Sequence, residues 1–179
     1  MSRGRWAWLV VAGLAVVVLQ LAIADALTVA HVHPELVWVL PVAAGLVAGT
    51  LPGMAAGFVG GVIADLFVPT PFGLTAFVGV LIGYAMGRLG EEGIGDLAGS
   101  QWWVAPSLGF ACGLVAPAIY AVVGVALGHH SYLSPSLALV CVLDAVACAL
   151  LVRPTMWLLA PLLAEDPLRG PLEPVRGAM

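Results

Sequence analysis

Long apolar runs, separated by short groups of proline, glycine and charged residues, dominate this sequence. They predict six helices, over residues of about 6–25, 35–50, 53–67, 73–88, 102–126 and 136–153. Residues 34–67 would form a rod of about 50 Å if they made one helix, at about 1.5 Å per residue. Because proline interrupts helices, the segment Leu51-Pro52-Gly53 is predicted to turn the chain back. The second and third helices should therefore form a tight hairpin.

The composition indicates that these helices cross a membrane. Hydrophobic residues make up 62% and charged residues 9% of the 179 residues, whereas soluble domains carry about 25% charged residues. A hydrocarbon core about 30 Å thick takes about 20 apolar residues per helix. The sequence predicts an all-α, polytopic integral membrane bundle of six transmembrane helices. Residues 1–163 would form this single domain, and residues 164–179 a flexible cytoplasmic tail.

The basic residues predict the orientation of the helices. Cytoplasmic loops collect lysine and arginine, whereas translocated loops lack them. With six spans and both termini inside, every basic residue lies at the cytoplasmic side: Arg3, Arg5, Arg88, Arg153, Arg169 and Arg176. The first helix resembles a cleavable signal peptide ending near Ala24, although five further spans favour a retained signal-anchor.

Several function classes are excluded or disfavoured by the same residues. The net charge of -4 and the absence of lysine leave no basic surface for nucleic acid. The three cysteines form no CxxC pair and are interpreted as packing residues. The four histidines fall in predicted outer loops, where solvation explains them as well as a metal does. No HExxH or GxSxG motif occurs. We expect no enzyme, no metal and no cofactor.

A stripe of glycines marks the centre of the chain. Glycine recurs at every fourth position along the second, third and fourth predicted helices, at Gly45, Gly49, Gly53, Gly57, Gly61, Gly79, Gly83 and Gly87, and the fifth adds Gly109 and Gly113. Helices in lipid associate through close contact, which small residues permit. The stripe predicts tight packing, either within the chain or against another membrane protein.

Asp65 continues the glycine stripe by one turn and should point into the packed interior. Under the predicted topology it lies in the outer half of the bilayer with Asp25 and Asp144, far from every arginine. Three partners remain open: backbone N–H groups at the start of the fourth helix, hydroxyls or histidines of neighbouring segments, and a cation from a partner or ligand. Protonation by desolvation is a further alternative. Glu35 and Ser134, beside prolines, are predicted to cap helix starts.

Residues 33–89 resemble the core of the rod shape-determining protein MreD family. The shared pattern is a Pro-led apolar helix, a Gly-Phe-x-x-Gly-x-x-x-Asp helix, a short Pro/Gly turn, and a helix closing in Gly-Tyr-x-x-Gly-Arg. Its positions here are Pro34, Gly57, Phe58, Gly61, Asp65, Gly73, Leu74, Gly83, Tyr84, Gly87 and Arg88. Within that set, Asp65, the glycines, Phe58 and Tyr84 are the candidates for partner binding or the structural core.

The resemblance implies a non-enzymatic scaffold of the bacterial cell-wall elongation complex, located in the cytoplasmic (inner) membrane. Such a scaffold maintains cell shape and regulates peptidoglycan synthesis by binding MreC and synthase transmembrane helices. Its further partners would be MreB, RodA and the class B penicillin-binding protein of RodA, together with membrane lipid.

The MreD family is also similar in fold to the substrate-binding S components of energy-coupling-factor transporters. This similarity supplies an alternative function, a subunit of a small-molecule (vitamin) transporter. Under that alternative, Asp144, Tyr120 and Trp38 would line a ligand cavity, which requires a real pocket between helices.

Overall fold

The structure is a computed structural model that describes Val11 and residues 35–67, 73–128 and 137–163. The predicted first span, apart from Val11, and the tail from residue 164 onward lie outside the described residues, as do Asp25, Ser134 and the four histidines. The described helices are a 3-10 turn Leu36–Trp38, α1 Val39–Ala48, α2 Thr50–Phe67, α3 Leu74–Leu89, a π-helical segment Gly90–Ile94, α4 Gly95–Ser100, α5 Val104–Ala126 and α6 Leu137–Leu163.

These helices pack as two antiparallel pairs around α1. The first pair is α2 with α3, and the second is α5 with α6. α1 lies against α2, α3 and α6, and α3 also contacts α5. Because α1 is surrounded, its side chains from Val39 to Leu46 are buried, including the fully enclosed Val42. The core of the bundle is therefore centred on the shortest apolar helix.

Within the described part of the chain, three helices are long and apolar enough to cross a membrane: Thr50–Phe67, Val104–Ala126 and Leu137–Pro161. The shorter helix Leu36–Ala48 is also apolar. The described residues form helices and no strand, which confirms the all-α class and agrees with a membrane protein. The count of six spans and their orientation remain predictions.

The turn between the second and third predicted helices lies two to four residues earlier than predicted. The chain breaks at Gly49, with φ of 86° and ψ of -168°, and not at Leu51-Pro52-Gly53. Pro52 lies in the first turn of α2, where a missing N–H costs nothing because that turn has no intrahelical acceptor to bond. The first bond of α2 runs from the Gly53 N–H to the Gly49 carbonyl, at 3.1 Å. Gly49 is thus a turn residue and not part of a flat helix face.

The sequence predicts a last span over 136–153 and leaves open whether the segment after Arg153 continues that helix past a kink or lies in the membrane interface. In the structure, α6 continues through Pro154 and Pro161 to Leu163. Pro154 cannot donate a helical hydrogen bond. One residue later the Thr155 hydroxyl donates to the carbonyl of Leu151 at 2.7 Å, which adds a hydrogen bond beside the one that proline removes. The segment 90–100, predicted as a loop, is also helical, apart from Gly93 at φ of 93°.

Candidate functional site

The glycines of α2 and α3 bring the two backbones into direct contact. A Cβ atom built on Gly57 would overlap the Gly79 carbonyl, and one built on Gly53 would lie 2.5 Å from the Gly83 oxygen. At the third level, Gly61 faces the backbone of Ala76. Real Cβ contacts are longer than these, so only glycine fits at these positions. The predicted close packing is present, and it lies within the chain.

Two further contacts extend this packing to the neighbouring helices. A Cβ atom on Gly45 of α1 would lie 2.8 Å from the backbone nitrogen of Gly87. In the second helix pair, a Cβ atom on Gly109 would lie 2.8 Å from the Cys148 carbonyl oxygen, and one on Gly113 would lie 2.5 Å from the Ala145 Cα atom. Cys112 and Cys148 are buried and Cys141 is half-buried, all as free thiols, in agreement with packing roles.

Asp65 caps the N-terminus of α3. Its side chain is 6% exposed, and its Oδ2 atom accepts from the N–H groups of Gly73 at 2.9 Å and Ala76 at 3.3 Å. Oδ1 accepts from the Thr75 N–H at 3.3 Å. Gly73, at φ of 94°, has no side chain with which to cap its own helix, so the carboxylate of α2 replaces it. Of the three partners left open by the sequence, the structure shows the backbone N–H groups.

Glu91 plays the same part at the opposite end of the α2–α3 hairpin. Its Oε1 atom accepts from the Thr50 N–H at 2.8 Å, the first N–H of α2. Its Oε2 atom lies 3.6 Å from Nη1 of Arg88. The hydrogen bond from Thr50, with help from Arg88, lowers the pKa of Glu91 below its ordinary value. Each helix of the pair is therefore capped by a carboxylate attached to, or just beyond, the other helix.

A third carboxylate meets the start of the segment that leads into α1. Asp144 of α6 is fully buried, and its Oδ1 atom accepts from the Glu35 N–H at 2.7 Å. Glu35 occupies the N-cap position of this segment, but its side chain makes no capping hydrogen bond. The prediction that its carboxylate caps this helix start is therefore wrong. The backbone N–H of Glu35 serves instead as the donor. Asp144 Oδ2 and Trp38 Nε1 are buried without a hydrogen-bond partner among the described residues.

Phe58 and Tyr84 differ from the other residues of the resemblance pattern. Phe58 is 53% exposed and Tyr84 is 50% exposed, so neither belongs to the structural core. On α3, Tyr84 continues an exposed apolar stripe with Phe77 and Leu81, at the helical spacing of a single face. The partner-binding half of the prediction for these two residues stays open.

A cavity of about 1000 Å³ opens at the end of the bundle that carries Arg88 and Arg153, which we call the arginine end. It lies between the α1–α2 turn, the segment after α3, and the last turns of α6. Its described lining includes Leu46, Pro52, Glu91, Asp96, Arg153 and Trp157. None of Asp144, Tyr120 and Trp38 lines it. These three side chains are buried, so the described cavity is not the one that the transporter alternative predicts.

Sequence reasoning missed Glu91 and the N–H group of Glu35. One signal was available for Glu91: the start of α2, Gly49-Thr50-Leu51-Pro52, places glycine where a capping side chain would stand, so a donor there needs an acceptor from elsewhere.

No protein-family model, no curated protein and no solved structure matches this chain.

Proposed function

We propose that this chain is a membrane scaffold of the MreD type, which binds the transmembrane helix of MreC in the bacterial inner membrane and so regulates peptidoglycan synthesis. The proposal rests on how the residues of the resemblance pattern divide in the structure. Gly57, Gly61 and Gly83 are used in backbone contacts, and Asp65 and Gly73 form the cap of α3. These residues build the hairpin.

Phe58 and Tyr84 carry the proposal, because they belong to the same pattern and yet are half-exposed. The packing of the hairpin accounts for the glycines and Asp65, whereas it does not use the two aromatic rings, which are free to contact lipid or a partner helix. Tyr84 shares its face with Phe77 and Leu81, at the i, i+3, i+4, i+7 spacing by which a helix recognises another helix. An apolar single-span helix is the partner that such a stripe fits.

The hairpin is suited to this role by its rigidity. Backbone contact at three levels between α2 and α3 and carboxylate caps at both ends hold the exposed stripe in one geometry. A preorganised surface loses little conformational entropy on binding. Under the proposal, RodA and its class B penicillin-binding protein would be reached through MreC or through their own transmembrane helices, and MreB from the cytoplasmic side, without chemistry by this chain.

Site-specific photocrosslinking tests the proposal. The photoreactive residue p-benzoylphenylalanine replaces Phe58 or Tyr84 in cells that also express the MreC protein of the same organism. Val122 on α5 and Leu150 on α6 serve as matched controls, because they are 64% and 71% exposed and lie on the other helix pair. We expect crosslinks to MreC from the first two positions only. Equal crosslinking from all four positions, or from the controls alone, contradicts the proposal.

A binding measurement complements the crosslinks. Phe58→Ala and Tyr84→Ala should reduce co-purification of MreC while leaving the melting temperature of the purified protein nearly unchanged, since exposed side chains contribute little to stability. Tyr84→Phe keeps the ring and should retain binding. Co-purification of a transporter ATPase in place of MreC supports the transporter alternative and overturns the scaffold.

A further inference from the structure

The cavity at the arginine end contains a guanidinium group, that of Arg153, for which no ion pair is found among the described residues. Arg153 lines the cavity, and its Nη1 atom is buried with no hydrogen-bond partner among the described residues. The Arg153 side chain as a whole is half-buried, and a guanidinium binds phosphate through short, charge-assisted hydrogen bonds. The cavity thus offers a donor group to an anion that enters it.

The same cavity also carries a carboxylate, that of Asp96, for which the described residues provide no partner. Of its two described carboxylates, Glu91 already accepts from Thr50 and pairs with Arg88. Asp96 lines the cavity with an exposed side chain. No hydrogen bond or ion pair of its carboxylate is found among the residues that the structure describes. A simple anion would pair with Arg153 alone, whereas a ligand with both charges could pair with Arg153 and Asp96, since both side chains line the same cavity.

Apolar surface continues from the cavity to the outside of α6. A shallow surface depression on α6 is lined by Trp157, Leu158, Ala160 and Pro161, and it shares Trp157 and Ala160 with the cavity. Trp157 is 82% exposed, as is typical of tryptophan at a membrane interface. Together the two spaces offer a charged compartment beside a short apolar groove.

We propose that the cavity binds the headgroup of a phospholipid that carries both a phosphate and a primary ammonium group. Arg153 binds the phosphate, Asp96 binds the ammonium, and an acyl chain leaves over Trp157. The volume of about 1000 Å³ is at the upper end of the range of ligand pockets, about 300–1,000 Å³, and so has room for a headgroup with the first part of its chains. This inference is independent of the proposed scaffold function.

Native mass spectrometry of the full-length protein released from detergent tests it. The probes are palmitoyl-oleoyl phosphatidylethanolamine, the matching phosphatidylglycerol and inorganic phosphate. We expect tighter binding of phosphatidylethanolamine than of phosphatidylglycerol. Arg153→Gln should weaken both lipids about tenfold or more, the effect of one charge-assisted hydrogen bond. Asp96→Asn should weaken phosphatidylethanolamine alone.

A matched control separates these effects from misfolding. Glu92→Gln removes a charge that pairs with Arg88 at 3.4 Å and does not line the cavity, so this variant should bind both lipids as the unmodified chain does. All variants should share its melting temperature. Unchanged binding in Arg153→Gln, equal affinity for the two lipids, or full displacement of lipid by inorganic phosphate would each overturn the proposal.

Discussion

Asp65 and Glu91 cap the two helices of one hairpin reciprocally. Asp65, near the end of α2, accepts from N–H groups at the start of α3, and Glu91, just beyond α3, accepts from the Thr50 N–H at the start of α2. Each carboxylate lies where the positive end of a helix dipole favours it. The hairpin is therefore held by a carboxylate cap at each end and by backbone contacts along its length.

Removal of the Asp65 carboxylate should destabilise the hairpin. Asp65→Ala leaves three N–H groups near the start of α3 without an acceptor, and we expect a loss of about 1–3 kcal/mol in the free energy of unfolding. Asp65→Asn should lose less, because the amide oxygen still accepts. Unfolding in detergent measures both, with exposed Asp96→Asn as control. Equal stability of Asp65→Ala and the control would contradict the cap.

The glycine contacts should be intolerant of a single methyl group. Gly57→Ala and Gly61→Ala force α2 away from α3, because the new Cβ atom would overlap the backbone of Gly79 or Ala76. Gly99→Ala is the matched control, since nothing lies within 4 Å of its Cβ position. We expect Gly57→Ala and Gly61→Ala to lower the melting temperature. The control should keep or raise it, because alanine favours a helix over glycine by about 1 kcal/mol. An unchanged melting temperature in Gly57→Ala would contradict the direct backbone contact between α2 and α3.

Two turn glycines should respond differently to alanine. Gly73 and Gly49 both have positive φ, but a Cβ atom on Gly73 meets nothing within 4 Å, whereas one on Gly49 would lie 2.8 Å from Glu91 Oε1. Gly73→Ala should cost the backbone strain alone, about 1–2 kcal/mol. Gly49→Ala should cost more, because it also displaces the Glu91 cap. Glu91→Gln combined with Gly49→Ala should then be less than additive, and full additivity would argue against a shared cause.

The Glu91 cap should weaken in acid. The folded state lowers the pKa of Glu91, so its contribution to stability is present above the pKa of the unfolded chain and is lost as the pH falls through the lower folded value. The amide shift of Thr50, followed by NMR in micelles, should titrate with a midpoint below the ordinary glutamate pKa. In Glu91→Gln this transition should vanish. A midpoint above the ordinary value would contradict the hydrogen bond as its cause.

Much of the fold follows from patterns within single segments. The helical class, the glycine contacts and the burial of Asp65 depend on spacing along one helix, which sequence shows directly. The α1–α2 turn was predicted too late in the sequence because proline usually interrupts a helix. Pro52 instead lies in the first turn of α2, where proline is well tolerated. At Pro154 the sequence left two courses open, a continued helix or an interfacial segment, and the structure shows the continued helix.

The site depended on long-range partners, which spacing does not show. Glu91 meets Thr50 across 41 positions of sequence, and Asp144 meets Glu35 across 109. Nothing local to either acid distinguishes it from a solvated one. The exposure of Phe58 and Tyr84 likewise depends on which faces the neighbouring helices cover, and the cavity on where three separate segments end.

Backbone contact at three levels leaves the hairpin a single register. Sliding α2 along α3 by one residue would drive side chains into main chain at every level, so shear between them is forbidden. Relative motion of α2 and α3 is therefore confined to movements that keep this register, such as a tilt of both helices as one rigid body.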